Sequence, residues 1–138
     1  MKYLLYIIIG LATTAFLYFG IFNSEQSNQQ WETKTDNQLP VTIKVTPIEL
    51  SQSANQWRFT VVFDTHSESL DQDLTKAISL ADDKGSAYQP IAWEGSGPGG
   101  HHREGVLVFN AIQPMPQSVE LKIKNVGGIP ERLFQWDI

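Results

Sequence analysis

The sequence predicts an all-β domain, an immunoglobulin-like antiparallel sandwich of about seven strands, preceded by one N-terminal transmembrane helix. Three observations support this prediction. An uncharged apolar run extends from Tyr3 to Phe22. Beyond residue 38, hydrophobic and polar residues alternate, which is the period of a strand with one buried face. Turn signals rich in Gly, Pro and Asp separate the alternating segments.

The apolar run Tyr3–Phe22 is long enough to cross a bilayer once as a helix, because a rise of ~1.5 Å per residue carries twenty residues across ~30 Å. Lys2 lies on its short side, and the next basic residue is Lys34. The positive-inside rule therefore predicts a cytoplasmic amino terminus. We expect a single-pass protein of the cell (plasma) membrane, with the lipid bilayer as its partner and the C-terminal domain outside the cytoplasm.

The alternative for this segment is a cleaved signal peptide. Such a peptide has an apolar core of only ~7–15 residues, followed by small residues at the cleavage site. The run here is longer, and residues 18–23 (YFGIFN) contain no such site. An uncleaved signal anchor is the favoured interpretation.

Three regions follow from composition: an anchor at 1–22, a flexible polar stalk at 23–38, and the β domain at 39–138. The stalk is rich in Asn, Gln, Ser and Thr, which bury too little surface to order a chain. Trp31 is its one large apolar residue, placed either at the membrane interface or against the domain.

The predicted strands differ in the strength of their alternation. It is strongest at 41–50, 57–64 and 118–124, and weaker at 76–82, 88–93, 104–109 and 132–137. Leu70–Leu74 is an alternative start of a short helix. Seven strands in about 100 residues favour the sandwich, and a small closed barrel is the competing fold.

Charge and cysteine content exclude several classes of function. Nine Lys and Arg residues and fifteen Asp and Glu residues lie beyond residue 22, a net charge of −6. An acidic domain argues against a nucleic-acid partner. The chain has no cysteine, so disulfides, thiolate metal sites and blue copper are excluded.

Chain direction predicts where a binding site lies. If successive strands reverse direction, the loops at 65–75, 94–103 and 125–131 share one end of the domain, called here the top end. All three histidines, His66, His101 and His102, fall in these loops. Because loops at one end of a sandwich carry binding surfaces, the top end is the predicted site.

The candidate metal ligands at this end are His66, His101, His102 and Asp64. Imidazole and carboxylate suit Cu(II) or Zn(II), which are the cofactors considered. Neighbouring residues on a strand point to opposite faces, so His66 is expected to act with one of the other two histidines. The alternative is that these histidines are polar loop residues that hydrogen-bond the backbone.

Four further residues are expected to support these loops: Arg103, Glu94, Gly99 and Gly100. Arg103 is predicted to pair with Glu94 or Glu104, or to bind an anionic ligand. The glycines of the 95–100 loop match GxGxxG, but a strand follows them where a dinucleotide site needs a helix. They are expected to supply positive φ and close backbone approach.

Four segments of the domain resemble a signature of uncharacterised microbial membrane-anchored proteins. They are Asp64–Ser67 (DTHS), Leu70–Leu74 (LDQDL), Trp93–Gly95 (WEG) and Gly99–Phe109 (GGHHREGVLVF). The resemblance implies no activity, ligand or catalytic residue. It implies only that the two histidine segments belong to one unit.

The predicted function is a membrane-tethered extracytoplasmic binding module that holds a divalent transition metal, or a small ligand, at its top loops. The alternative is a structural or accessory subunit that docks on a membrane protein or forms a homo-oligomer without metal. In a variant of that alternative, the histidines sense pH. A hydrolase ranks last, because no motif supplies nucleophile, base and oxyanion donor, so we expect a protein that is not an enzyme.

Overall fold

A computed structural model describes residues 29–138, and its fold is all-β, as the sequence predicts. Within these residues, nine strands and one short helix follow in chain order: β1 Lys34–Asp36, β2 Val41–Glu49, β3 Gln56–Thr65, α1 Leu74–Ala77, β4 Ile78–Asp82, β5 Ala87–Tyr88, β6 Ala92–Gly95, β7 His102–Asn110, β8 Ser118–Val126 and β9 Ile129–Asp137. No helix within residues 29–138 is both long and apolar enough to span a bilayer. The predicted anchor Tyr3–Phe22 lies outside the described residues.

The strands form two antiparallel sheets that enclose one core. The first sheet has the order β1-β2-β3-β7-β6, and the second has the order β5-β4-β8-β9. Strand β3 shows why they pack, since every second residue from Trp57 to Thr65 is buried and the residues between are not. Phe59 of the first sheet contacts Trp136 of the second, with ring centroids 5.7 Å apart.

Two predicted strands differ from those in the structure. The strand expected at 88–93 is divided between β5 of the second sheet and β6 of the first. Pro90 lies between them, and a proline cannot donate to a ladder, so the chain crosses between sheets there. The strand expected at 76–82 begins only at Ile78, because Asp73 caps the short helix α1 by accepting from the Thr75 amide at 3.1 Å.

Residues 31–36 belong to the domain, although composition assigned them to the stalk. Strand β1 pairs with β2, with Lys34 opposite Val45. Trp31 packs against the core, and the Trp136 indole donates to the Glu32 carbonyl at 2.8 Å. Pairing with the edge of β2 and the contacts of Trp31 and Trp136 therefore order the polar residues 31–36. The remainder of the predicted stalk, residues 23–28, lies outside the described part.

The chain enters the domain at the end opposite the top end, called here the bottom end. Gln30 and Trp31 lie beside Trp136 and Asp137. The Ile138 amide donates to the Gln117 carbonyl in the loop that joins β7 and β8. From there β1 rises antiparallel to β2, which begins at the top end.

Candidate functional site

The predicted meeting of three loops at the top end is confirmed by strand register. Asp64 of β3 lies opposite His102 of β7, and the Thr65 amide donates to the His101 carbonyl at 2.9 Å. The turn between β8 and β9 lies beside the first residue of β2, since a Cβ added to Gly127 would lie 2.7 Å from Val41 Cγ2. Segments far apart in sequence therefore share this end.

Asp64, His102 and Glu104 form a side-chain group that we call the His102 cluster. The imidazole Nδ1 lies 2.6 Å from Asp64 Oδ1, and Nε2 lies 3.6 Å from Glu104 Oε2. Residues 102 and 104 are two apart on β7, and residue 64 is opposite 102, so all three share the outer face of the first sheet. Between 48 and 58% of each side chain is exposed.

The carboxylates favour the protonated form of His102. The hydrogen bond to Asp64 raises the pKa of His102 above its ordinary value of 6.5. Desolvation opposes this rise, and the charge of Asp64 and the contact with Glu104 add smaller contributions to it. The cluster therefore holds an imidazole that gains or loses its proton under the influence of two acids. Its charge changes at a higher pH than that of an ordinary histidine.

The other two predicted histidines stand apart from this cluster. His66 and His101 are exposed. Of the three imidazoles in residues 29–138, only that of His102 lies within 4.0 Å of a carboxylate oxygen. No group of three or more His, Asp or Glu residues within that range is placed to hold a metal ion. The structure thus unites two of the four predicted ligands, Asp64 and His102, and adds Glu104.

The glutamate partners predicted for Arg103 are wrong, because its side chain points into the domain. It has the same parity on β7 as the core residues Leu107 and Phe109, and it is 3% exposed. Its Nη1 donates to the carbonyls of Leu70 at 3.0 Å and Gln72 at 2.8 Å. It pairs with neither predicted glutamate. Glu94 instead pairs with Arg58 across the outer face of the same sheet.

Burial lowers the pKa of the Arg103 guanidinium, and the negative charges of Asp71 and Asp73 oppose that effect. The guanidinium lies 5.7 Å from the centre of the Trp93 ring, within the range of a cation–π contact. Its Nε is buried without a hydrogen-bond partner in the described structure. Arg103 therefore stabilises the top loops from beneath, through backbone carbonyls and one indole.

Gly99 and Gly100 support the loops as the sequence predicts. Their φ angles are +106° and +76°, which side-chain-bearing residues rarely adopt. The Gly99 amide donates to the Leu70 carbonyl at 2.9 Å, and the Leu70 amide donates to the Gly100 carbonyl at 3.1 Å. This reciprocal pair of hydrogen bonds joins the two histidine-bearing loops.

The indole of Trp93 packs against two glycines that face each other across β6 and β7. Gly95 lies opposite Gly105, and a Cβ on either residue would lie 2.8 Å from Trp93 Cζ2. The indole Nε1 donates to the Ser96 carbonyl at 2.8 Å. These glycines let the indole lie close to the backbone beneath Arg103. This packing has no signal in the sequence beyond the composition of the loop.

A second buried arginine, Arg132, was not recognised from the sequence. Its Nη1 donates to Asp36 Oδ1 at 3.0 Å and to the Val41 carbonyl at 2.8 Å, while its Nη2 donates to the Gln38 carbonyl at 2.9 Å. It links the first described strand to the β8–β9 hairpin. A signal was present, since residue 132 shares parity with the buried Phe134 and Trp136.

At the bottom end, Asp82 organises an acidic turn. Burial opposes ionisation, but hydrogen bonds from Ser86, Tyr88 and Lys84 leave the pKa of Asp82 below its ordinary value. The Tyr88 hydroxyl donates to Asp82 Oδ2 at 3.0 Å, and this bond raises the pKa of Tyr88. Because turn groups already use the carboxylate, we assign it a structural role.

Comparison with models of known protein families found no match, and comparison with curated proteins found none either. A sandwich fold hosts many unrelated functions. The function has to be inferred from the residues of the site.

Proposed function

We propose that this protein is a membrane-tethered, extracytoplasmic binding module that presents the top end of its sandwich to a partner away from the bilayer. Residues Tyr3–Phe22 act as the anchor in this proposal, on the evidence of their sequence. The observation that carries the proposal is the entry of the chain at the bottom end, opposite the His102 cluster.

Chain lengths support this orientation. Six residues, 23–28, separate Phe22 from Gln29, and a linker of that length spans at most about 25 Å. Strand β3 has ten residues, so it separates the two ends of the domain by about 33 Å. A short tether at the bottom end keeps that end near the membrane and directs the top end outward.

The order of the strands supports the immunoglobulin-like form of the sandwich. Strands β2-β3-β7-β6 and β5-β4-β8-β9 correspond to the ABED and C′CFG orders of immunoglobulin domains. Strand β1 is an addition at the edge of the first sheet. In this architecture the loops at one end carry recognition, which matches the role proposed for the top end.

The exposure of the His102 cluster favours binding over catalysis. Its three side chains lie on an open sheet face, each about half exposed. Catalytic groups usually lie in a concave site that excludes water. An exposed, charged and hydrogen-bonded group suits contact with a second surface, so we propose a non-catalytic protein.

An accessory subunit of a membrane complex is a second form of the same proposal, and the raised pKa of His102 favours it. When the imidazole between the two carboxylates gains or loses a proton, the charge of the surface that a partner would cover changes. Such a surface binds differently on the two sides of the pKa. This form needs no metal ion.

Site-specific photo-crosslinking tests the proposal. The full-length chain in its native membranes carries a photoreactive amino acid either at Glu68, exposed at the top end, or at Lys84, exposed at the bottom end. We expect one discrete adduct from position 68, weakened by Asp64→Asn, and none from position 84. An adduct from position 84 alone, or no adduct from either position, would refute the proposed surface.

A further inference from the structure

We propose that His102 Nε2 and the Glu104 carboxylate form a binding site for a divalent transition-metal ion, with Asp64 as the residue that orients the imidazole. This inference deepens the proposed binding function, on which it rests, because it names a ligand for the same surface. It also revises the ligand set expected from the sequence. His66 and His101 are no longer ligands, and Glu104 is added.

The contact with Asp64 leaves one nitrogen available. A carboxylate has no proton to donate, so in the neutral imidazole Nδ1–H donates to Asp64 Oδ1 across 2.6 Å. The lone pair is then on Nε2, on the side of Glu104. A histidine that donates one N–H to a carboxylate while the other nitrogen binds a metal is the usual arrangement in metalloproteins.

The distance between the two ligand atoms suits a common ion. Two bonds of ~2.0–2.1 Å at a tetrahedral angle place their ligand atoms about 3.4 Å apart. Nε2 and Glu104 Oε2 are 3.6 Å apart. A shift of a few tenths of an ångström by the exposed glutamate side chain would bring both atoms onto a tetrahedral ion. For tetragonal Cu(II), whose neighbouring ligand atoms lie about 2.9 Å apart, the shift is about 0.7 Å.

The local charge also favours a cation. Asp64 and Glu104 give the cluster two negative charges when His102 is neutral. On the same face, Lys44 is the basic residue in register with Glu104, but Val62 of β3 lies between them. The cluster therefore attracts a divalent ion without a lysine directly beside it.

Two protein ligands leave the remaining positions of the ion open. Within residues 29–138 no third His, Asp or Glu completes the set, so water or a ligand atom of the partner has to occupy these positions. An ion held in this way would join two surfaces. Cu(II) is the best probe, because it binds a mixed nitrogen and oxygen site more tightly than the other divalent first-row ions.

The test is a titration of the full-length chain in lipid nanodiscs with CuCl₂, followed by calorimetry and by electron paramagnetic resonance. Because the free α-amino group also binds Cu(II), His102→Gln serves as the reference. We expect wild type to bind one equivalent more than this reference. Asp64→Asn should weaken that equivalent by about 10- to 100-fold, as the loss of an orienting partner does, and Glu104→Gln should weaken it by a similar factor.

Three variants serve as matched controls. His66→Gln and His101→Gln remove the other imidazoles, and Glu94→Gln removes a carboxylate on the same sheet face that is paired with Arg58. All three should retain the additional equivalent, and cooperative thermal unfolding without copper checks that every variant is folded. The inference is overturned if His102→Gln binds as wild type does up to about 1 mM Cu(II), or if either control histidine variant loses the equivalent.

The two proposals fail separately. Absence of copper binding with an intact adduct from position 68 would remove the metal and leave the partner surface. Copper binding without that adduct would remove the partner surface and leave the metal site.

Discussion

Two buried arginines at the top end have different partners for their guanidinium groups. Arg132 forms an ion pair with Asp36 and also donates to backbone carbonyls, and its side chain is fully buried. Arg103 donates to carbonyls and stacks on Trp93, and none of the ion pairs in the described structure includes it. Arg132 is thus a neutralised link between strands, whereas Arg103 keeps its positive charge beneath the histidine-bearing loops.

The inward residues 103 and 132 hold loops and strand ends together. The outward residues 64, 102 and 104 lie on the exposed face of the first sheet. In the proposed function, adjacent positions on β7 act separately, one on stability and the other on recognition.

The largest effect is expected from Arg132→Met. The substitution leaves the Asp36 carboxylate, only 13% exposed, without its cation. Breaking a buried ion pair from one side costs about 3–5 kcal/mol. Chemical unfolding measures the loss, with Lys124→Met, at an exposed lysine of the same hairpin, as the control. A cost no greater than that of the control would contradict the assigned link.

Arg103→Met should cost less, about 2 kcal/mol, because it leaves the Gln72 carbonyl without a donor but no buried unpaired charge, while the Leu70 carbonyl still accepts from the Gly99 amide. The same unfolding experiment measures it, and the fluorescence of the partly buried Trp93 reports the local change. If this variant proved less stable than Arg132→Met, the distinction between the two arginines would be lost.

Gly105→Ala tests how the Arg103 region is packed. Its Cβ would lie 2.6 Å from Gly95 Cα and 2.8 Å from Trp93 Cζ2, and such overpacking costs about 1–3 kcal/mol. Gly97→Ala is the matched control, since a Cβ there meets nothing within 4 Å. Equal stability of the two variants would contradict the close packing of the Trp93 indole against Gly105.

The smallest effect on stability is expected from Asp64→Asn, at the exposed surface. Removing the hydrogen-bonded carboxylate should lower the pKa of His102 toward 6.5, which an NMR titration measures. Because the pKa is raised in the folded state, the stabilisation is present below the ordinary value and is lost as pH rises through the raised one. In Asp64→Asn this pH dependence should weaken, and an unchanged His102 pKa would contradict the assigned partner.

Alternation and chain reversal predicted much of the fold and the location of the site. They place residues 66 and 102 at one end, because β3 and β7 run antiparallel with Asp64 opposite His102. The same parity turns Arg103 and Arg132 inward, where charged side chains are uncommon. Buried arginines need carbonyl partners from distant loops, which a local pattern does not reveal.

Other features depend on tertiary contacts. Strand β1 forms because it pairs with the edge strand β2 and because Trp31 packs against the core. The polar composition of residues 29–38 alone predicts a stalk. Glu104 was considered only as a partner of Arg103, and its role in the His102 cluster follows from the side-chain distance of 3.6 Å. Register alone brings residues onto one face, and side-chain conformation decides which atoms meet.

The most direct test of the proposed orientation uses the absence of cysteine from the chain. Single cysteines at Ser67, at the top end, and at Lys84, at the bottom end, each carry a fluorescent donor in the full-length protein in liposomes with acceptor lipids. We predict strong energy transfer from position 84 and weak transfer from position 67, since about 30 Å separates the two ends. Equal transfer from both positions, or stronger transfer from position 67, would contradict the outward presentation of the His102 cluster.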